Sequence, residues 1–395
     1  MASATIPPKL FANIKRFVGK CKTKVYLFCV IGKVSVFLYP SKNEGGMKYV
    51  YEIEQRTFHF REPAGTSRGV YRTRRSWLVR LTDEEGRMGV GECAPLPQLS
   101  CDDLPDYEKM LADACEVVAR SGRTDFDELR PFPSMVFGLE TAVLHAQRGS
   151  LALFNTPFSR GEEGIPINGL VWMGNYDEML QRMEEKLRQG FRCVKIKIGA
   201  IGWDEEMALL RLIRSRFSRQ DVELRVDANG AFSVDEAPKK LEELARFDVH
   251  SIEQPVRAGQ WEALARLCRE VPVPIALDEE LIGANRLREK QDLLDAVQPQ
   301  YIVLKPSLHG GIRGTQEWIS EAEKRGIGSW ITSALESNVG LNAVAQLAAH
   351  VYGPDIQFPQ GLGTGQLFVD NIPLPLEIRG DELWVVEGSP TLTLP

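Results

Sequence analysis

From residue 165 onward the chain repeats one unit: a short Val- and Ile-rich segment, then a stretch whose apolar residues recur every three or four positions. The apolar segments fall at 165–172, 193–199, 224–229, 250–254, 275–279, 301–305 and 330–334, with a weaker one at 358–361. Between them, stretches such as 176–188 and 234–245 carry the periodicity of amphipathic helices. Strands that alternate with helices in this way run parallel, and eight of them close into a barrel. The expected fold is therefore α/β: a modified TIM-type (β/α)7β barrel. A doubly wound open sheet is the alternative, but no Gly-x-Gly-x-x-Gly follows an early strand.

Strands buried on both faces should be continuously apolar, so charges at their C-terminal ends need a reason. Lys197, Asp227, Glu253, Asp278 and Lys305 follow one another at steps of 30, 26, 25 and 27 residues, about one strand–helix unit each. Any one of them has an ordinary explanation, such as a helix cap or an edge-strand lysine. Together they converge on one mouth of the barrel, the end where active sites of this fold form. Three carboxylates on consecutive strands repel one another unless a counter-charge intervenes. An all-oxygen donor set suits Mg2+ or Mn2+ rather than zinc. Asp227, Glu253 and Asp278 are the candidate metal ligands. Lys195 and Lys197 share one face of their strand, so each is expected to lower the other's pKa and make Lys197 a base. Lys305 would meet a substrate from the other side. Arg225 and Asn229, in phase with Asp227, are candidate orienters of ligands or substrate. Such parts suit removal of a proton next to a carboxylate, with positive charge stabilising the enediolate, a pattern described for enolase-superfamily sites.

The rest of the chain reads differently. Residues 47–160, with alternating segments at 49–60 and 76–81 and helical patterns at 107–121 and 134–148, read as an α+β capping domain. The barrel is expected over 161–370, and the strand-like tail within 371–395 is expected to complete the cap. Residues 1–46 carry eight Lys or Arg and one Glu, so the other 349 residues total −13 within a net charge of −6. That segment is expected to be an extension outside the fold. A targeting sequence is the alternative, but Lys33 interrupts its apolar stretch, which is also too short to span a membrane. The seven cysteines include no Cys-x-x-Cys pair, which favours a reduced, cytoplasmic setting. The acidic balance gives no reason to expect nucleic acid.

In order and spacing, Val194-Lys195-Ile196-Lys197, Arg225-Val226-Asp227-Ala228-Asn229, Ile252-Glu253-Gln254-Pro255, Leu277-Asp278-Glu279 and Leu304-Lys305-Pro306 resemble the muconate-lactonizing subgroup of the enolase superfamily. Segments 89–97, 167–174, 332–337 and 361–365 are most similar to the o-succinylbenzoate synthase family, and the likeness runs from about residue 47 to 370. The resemblance implies a Mg2+-dependent lyase of menaquinone biosynthesis that dehydrates a cyclohexadiene carboxylate, a small-molecule substrate. It implies that Asp227, Glu253 and Asp278 hold the metal. Lys197 would abstract the proton and return it to the departing hydroxide, while Lys305 stabilises the opposite face. Ser333 and Asn229 would contact substrate or orient the site. N-acylamino acid racemase or dipeptide epimerase is the alternative within the superfamily, and a non-catalytic barrel the alternative outside it. Gly363 stands where many relatives carry Asp, so a substrate ammonium would lack a partner there, which disfavours the epimerase. The segment 61–75, with Arg61, Arg68, Arg72, Arg74 and Arg75, is expected to be a basic loop over the mouth. Glu92 and Cys93 are expected to shape the turn between domains.

Overall fold

A computed structural model describes residues 23–30, 33–40, 48–66, 69–199, 201–354 and 356–386. Seven strands form one parallel sheet in consecutive order: β7 (Gly169–Val171), β8 (Cys193–Lys197), β9 (Glu223–Asp227), β10 (Ser251–Glu253), β11 (Ile275–Leu277), β12 (Tyr301–Leu304) and β13 (Gly328–Ile331). A helix follows each, from Tyr176–Arg188 after β7 to Asn338–Tyr352 after β13. Their apolar faces pack on strand residues such as Val194, Ile196, Leu224, Val226, Ile252 and Leu304, all essentially buried. The first helix starts on a capping box, Asn175 Oδ1 accepting from Glu178 N while Glu178 Oε2 accepts from Asn175 N, both at 2.9 Å.

The weak eighth segment closes the circle through bridges rather than a full strand. Gln360 N donates to Pro166 O at 2.8 Å on one side, and Gly361 N donates to Ile331 O at 2.9 Å on the other. The segment expected as one strand at 165–172 is divided in two. β6 (Ile165–Pro166) pairs antiparallel with β15 (Glu382–Val385), whereas β7 pairs parallel with β8. This corrects the expected fate of the tail. The hairpin β14 (Leu376–Arg379) to β15 joins β6 in a sheet of its own, not the cap. The chain just before it reaches the cap, where Phe368 and Ile372 pack with Phe58 and Phe60.

The cap is an antiparallel sheet, β3 (Tyr49–Thr66), β4 (Gly69–Asp83) and β5 (Met88–Cys93), with helices Tyr107–Ser121 and Pro133–Arg148 packed on it. Any Cβ at Gly91 would collide with the Gly138 carbonyl, so glycine lets that helix lie directly on β5. The basic segment is not a loop: 61–66 and 69–75 lie in the paired strands β3 and β4, with a bulge between His59 and Ala64. Arg68 lies outside the described residues. Of the segment 1–46, β1 (Thr23–Val30) and β2 (Lys33–Pro40) pair with each other in a separate two-stranded sheet, and the remainder lies outside the described residues. Among the described residues no helix is long and apolar enough to cross a membrane.

Candidate active site

The register of the parallel sheet decides where the charges land. Lys197 is paired with Asp227, and Asp227 with Glu253, so the ends of β8, β9 and β10 are level. Asp278 and Lys305 directly follow β11 and β12. The five side chains predicted to meet do so, each in a buried or nearly buried position. Lys197 Nζ donates to Asp227 Oδ2 at 2.9 Å and to Asn229 Oδ1 at 2.6 Å. Lys195 Nζ donates to Glu253 Oε2 at 2.7 Å and stands 3.3 Å from Asp227 Oδ2. Lys305 Nζ donates to Asp278 Oδ1 at 2.6 Å.

The lysines hold the place of a cation among the acids. As they stand, the described residues include no group of three His, Cys, Asp or Glu side chains arranged to hold a metal ion. The donor set is nonetheless all oxygen, and Glu253 Oε1 is buried with no hydrogen-bond partner. An orphaned carboxylate oxygen in the interior is costly unless something supplies positive charge there. Burial and the charges of Asp227 and Asp278 outweigh Lys195 and push Glu253 up to about 7. Burial also pushes Asp227 up, but the Lys197 and Lys195 ammonium groups prevail and hold it well below the usual carboxylate range.

Depression of the Lys195 pKa is not what this arrangement produces. Burial opposes the charge on Lys195, yet Glu253 and Asp227 outweigh it and hold its pKa above the usual lysine value. Lys305 is raised in the same way, Asp278 and Glu279 overcoming its burial. Opposite charges within hydrogen-bond reach count for more than a like charge two residues along the strand.

Backbone conformation at two strand exits is also unusual. Asn229 has φ +44° and Gln254 φ +38°. Asparagine tolerates this region, whereas glutamine is strained in it. The side chain of Gln254 is fully buried and repays the strain: its Oε1 accepts from Glu280 N at 3.1 Å and Asp278 N at 3.3 Å. Gln254 thus ties the exit of β10 to the Asp278 turn.

A cavity of about 700 Å3 opens over these strand ends, lined by Lys195, Lys197, Asp227, Asn229, Glu279, Lys305 and Ser333. Ser333 donates to Glu336 Oε2 at 2.6 Å. Gly363 also lines the cavity, and a Cβ built on it would have only Asn168 O at 3.8 Å and Ile167 Cδ1 at 3.9 Å near it. Arg225 does not reach the cavity. Its guanidinium lies over Trp330, its Nε donates to Glu223 and its Nη1 to Pro359 O, so it braces the barrel interior beneath the mouth. Arg74 is likewise spent on structure, bonding Leu335, Pro95 and Ala94 carbonyls while buried. Cavity residues that sequence reasoning does not single out include Glu279, which accepts from Asn229 Nδ2 at 3.0 Å, Trp172 and Arg182. Glu279 follows Asp278 directly and was within reach of the strand-end argument. Trp172 and Arg182 carry no spacing signal.

Comparison with known proteins agrees with this geometry. Residues 178–385 match the family model "Enolase C-terminal domain-like", and residues 67–146 match "MenC, N-terminal domain". The o-succinylbenzoate synthase of Desulfotalea psychrophila is 44% identical over 82% of this chain and 96% of its own. The crystal structure of MenC from the same organism covers 86% of this chain and 100% of that one at 41% identity, with a TM-score of 0.73. An o-succinylbenzoate synthase from Thermosynechococcus elongatus, solved with Mg in its active site, covers 80% of this chain and 94% of its own at 26% identity and a TM-score of 0.66.

Proposed function

The chain belongs to the enolase superfamily and, within it, to the o-succinylbenzoate synthases, and on that premise we propose how its own residues carry the dehydration of 2-succinyl-6-hydroxy-2,4-cyclohexadiene-1-carboxylate to o-succinylbenzoate. The observation that carries the assignment of roles is that lysines from β8 and the end of β12 pair with Asp227, Glu253 and Asp278, with Lys195, Lys197, Asp227 and Lys305 lining one cavity. Lys197 takes the proton from the ring carbon that bears the carboxylate. The electron pair moves into that carboxylate, forming an enediolate dianion. Asn229 holds Lys197 Nζ in place at 2.6 Å. The same amine, now protonated, delivers its proton to the departing 6-hydroxyl as the ring becomes aromatic. Lys305, fixed by Asp278, faces the dianion from across the mouth and stabilises its charge.

Asp227, Glu253 and Asp278 would hold Mg2+, a reading supported by the unpartnered Glu253 Oε1, the all-oxygen set and the magnesium in the Thermosynechococcus relative. When bound, the ion supplies fixed positive charge for the carboxylate that becomes a dianion. Cys93, Cys101, Cys115, Cys193 and Cys268 are free thiols, all but Cys101 buried, which supports a cytoplasmic enzyme. The test is a spectrophotometric dehydration assay with this substrate. Turnover that depends on Mg2+ and stops with chelator is expected; a folded, metal-loaded sample that does not turn over would refute the reading.

A further inference from the structure

The substrate carries a second carboxylate, at the end of its succinyl chain, and the strand-end machinery addresses only the first. Among the described residues lining the cavity, positive charge is carried by Lys195, Lys197, Lys305, Lys186 and Arg182. The first three are held by Asp227, Glu253 and Asp278. Lys186 turns to Gln189 Oε1 at 3.2 Å and lies over Phe191. Arg182 is placed differently. Its Nη1 donates to Met173 O at 3.1 Å and Trp172 O at 3.4 Å, which pins the guanidinium at the exit of β7. Its Nη2 meets Glu62 of the cap strand β3 at 3.2 Å, and the Glu62 side chain is 74% exposed. A pair so open to solvent contributes little. A substrate carboxylate arriving from the cavity side can therefore replace Glu62 at small cost.

Trp172 links the two groups: its carbonyl accepts from Arg182, and Lys197 Nζ lies 5.8 Å from the centroid of its ring. Resting on the o-succinylbenzoate synthase reading, we infer that Arg182 receives the succinyl carboxylate and that Glu62 occupies its Nη2 until substrate arrives. Arg182 thereby sets substrate preference and takes no part in proton transfer.

The experiment compares o-succinylbenzoate with the analogue whose succinyl terminus is a primary amide, both as competitive inhibitors of the full-length Mg2+-loaded enzyme. The wild type is expected to prefer the diacid about 10- to 100-fold, the worth of one charge-assisted hydrogen bond. R182Q should abolish that preference and raise KM by a similar factor while kcat stays within a few-fold. Because R182Q also frees two carbonyls, E62Q serves as the second variant: it touches no core and should keep the preference while lowering KM at least about twofold. An R182Q enzyme that retains the preference overturns the inference, and an E62Q enzyme with unchanged or raised KM overturns the place-holding role of Glu62. A wild type that binds the diacid selectively but never dehydrates the diene refutes the function and leaves the anion seat standing.

Discussion

Charge is buried at the barrel mouth and again at the seam between cap and barrel, and the two clusters are wired differently. At the seam, Glu92 is fully buried and accepts from Ser76 Oγ, Ser337 N, Ser337 Oγ and Gly340 N, at 2.6–3.0 Å. Glu336, also fully buried, accepts from Ser307 Oγ, Ser333 Oγ and Ala334 N. Arg74 donates to three backbone carbonyls between them. Almost every partner is a backbone or hydroxyl group fixed by the fold. At the mouth, the carboxylates are instead met by the flexible ends of three lysines, and one oxygen of Glu253 has no partner at all. Burial of charge thus does not by itself mark a site. What marks it is a set of partners that can let go.

That contrast predicts opposite responses to substitution. The largest effect is expected for Lys197→Ala, which should lower kcat by about 10^3-fold or more while the melting temperature stays within a degree or two, since Asp227 keeps Lys195 and the Asn229 backbone N–H as partners. A substantial drop in melting temperature, read by calorimetry, would place Lys197 with the seam groups. Next comes Glu92→Ala, which orphans four donors and should cost about 3 kcal/mol of stability in denaturant titration without altering Mg2+ affinity. Glu253→Gln should do the reverse: Mg2+ binding weakened about 10- to 100-fold by isothermal titration, with metal-free stability almost unchanged.

The most gradual effect is a slope. Glu140, on the cap helix Pro133–Arg148, accepts from Ile312 N at 2.6 Å at the start of a barrel helix. Burial, only partly offset by that backbone donor, pushes its pKa up to about 8. A carboxyl group raised in the folded state favours folding below its ordinary pKa, and that advantage is lost as pH climbs toward 8. Relative to Glu140→Gln, wild-type stability should therefore fall between about pH 5 and 8, by at most about 1.4 kcal/mol per pH unit, and run parallel above it. Parallel curves throughout would mean that the seam ionises freely, erasing the distinction from the mouth.

Periodicity made the barrel and its charged rim legible because both repeat with the chain. Each strand brings one charged residue to the same mouth, so spacing along the sequence becomes proximity in space, and Lys197 through Lys305 could be placed without a structure. The misreadings share the opposite property. Arg225 is in phase with Asp227 but two residues deeper, where an inward side chain meets Trp330 rather than substrate. Arg74 looks like a loop cation, yet its three acceptors come from residues 94, 95 and 335. The tail was assigned by strand pattern alone, and pattern does not choose a partner: β15 pairs with β6, more than 200 residues earlier. Arg182 belongs to the same class, since its ion-pair partner, Glu62, lies 120 residues away.

Gly363 has a corollary for descent. With no neighbour closer than 3.8 Å to the place of its missing Cβ, the pocket wall at that point is roomy as well as neutral. A side chain introduced there by a single codon change would meet open space at its first carbon, without the wall first having to be rebuilt.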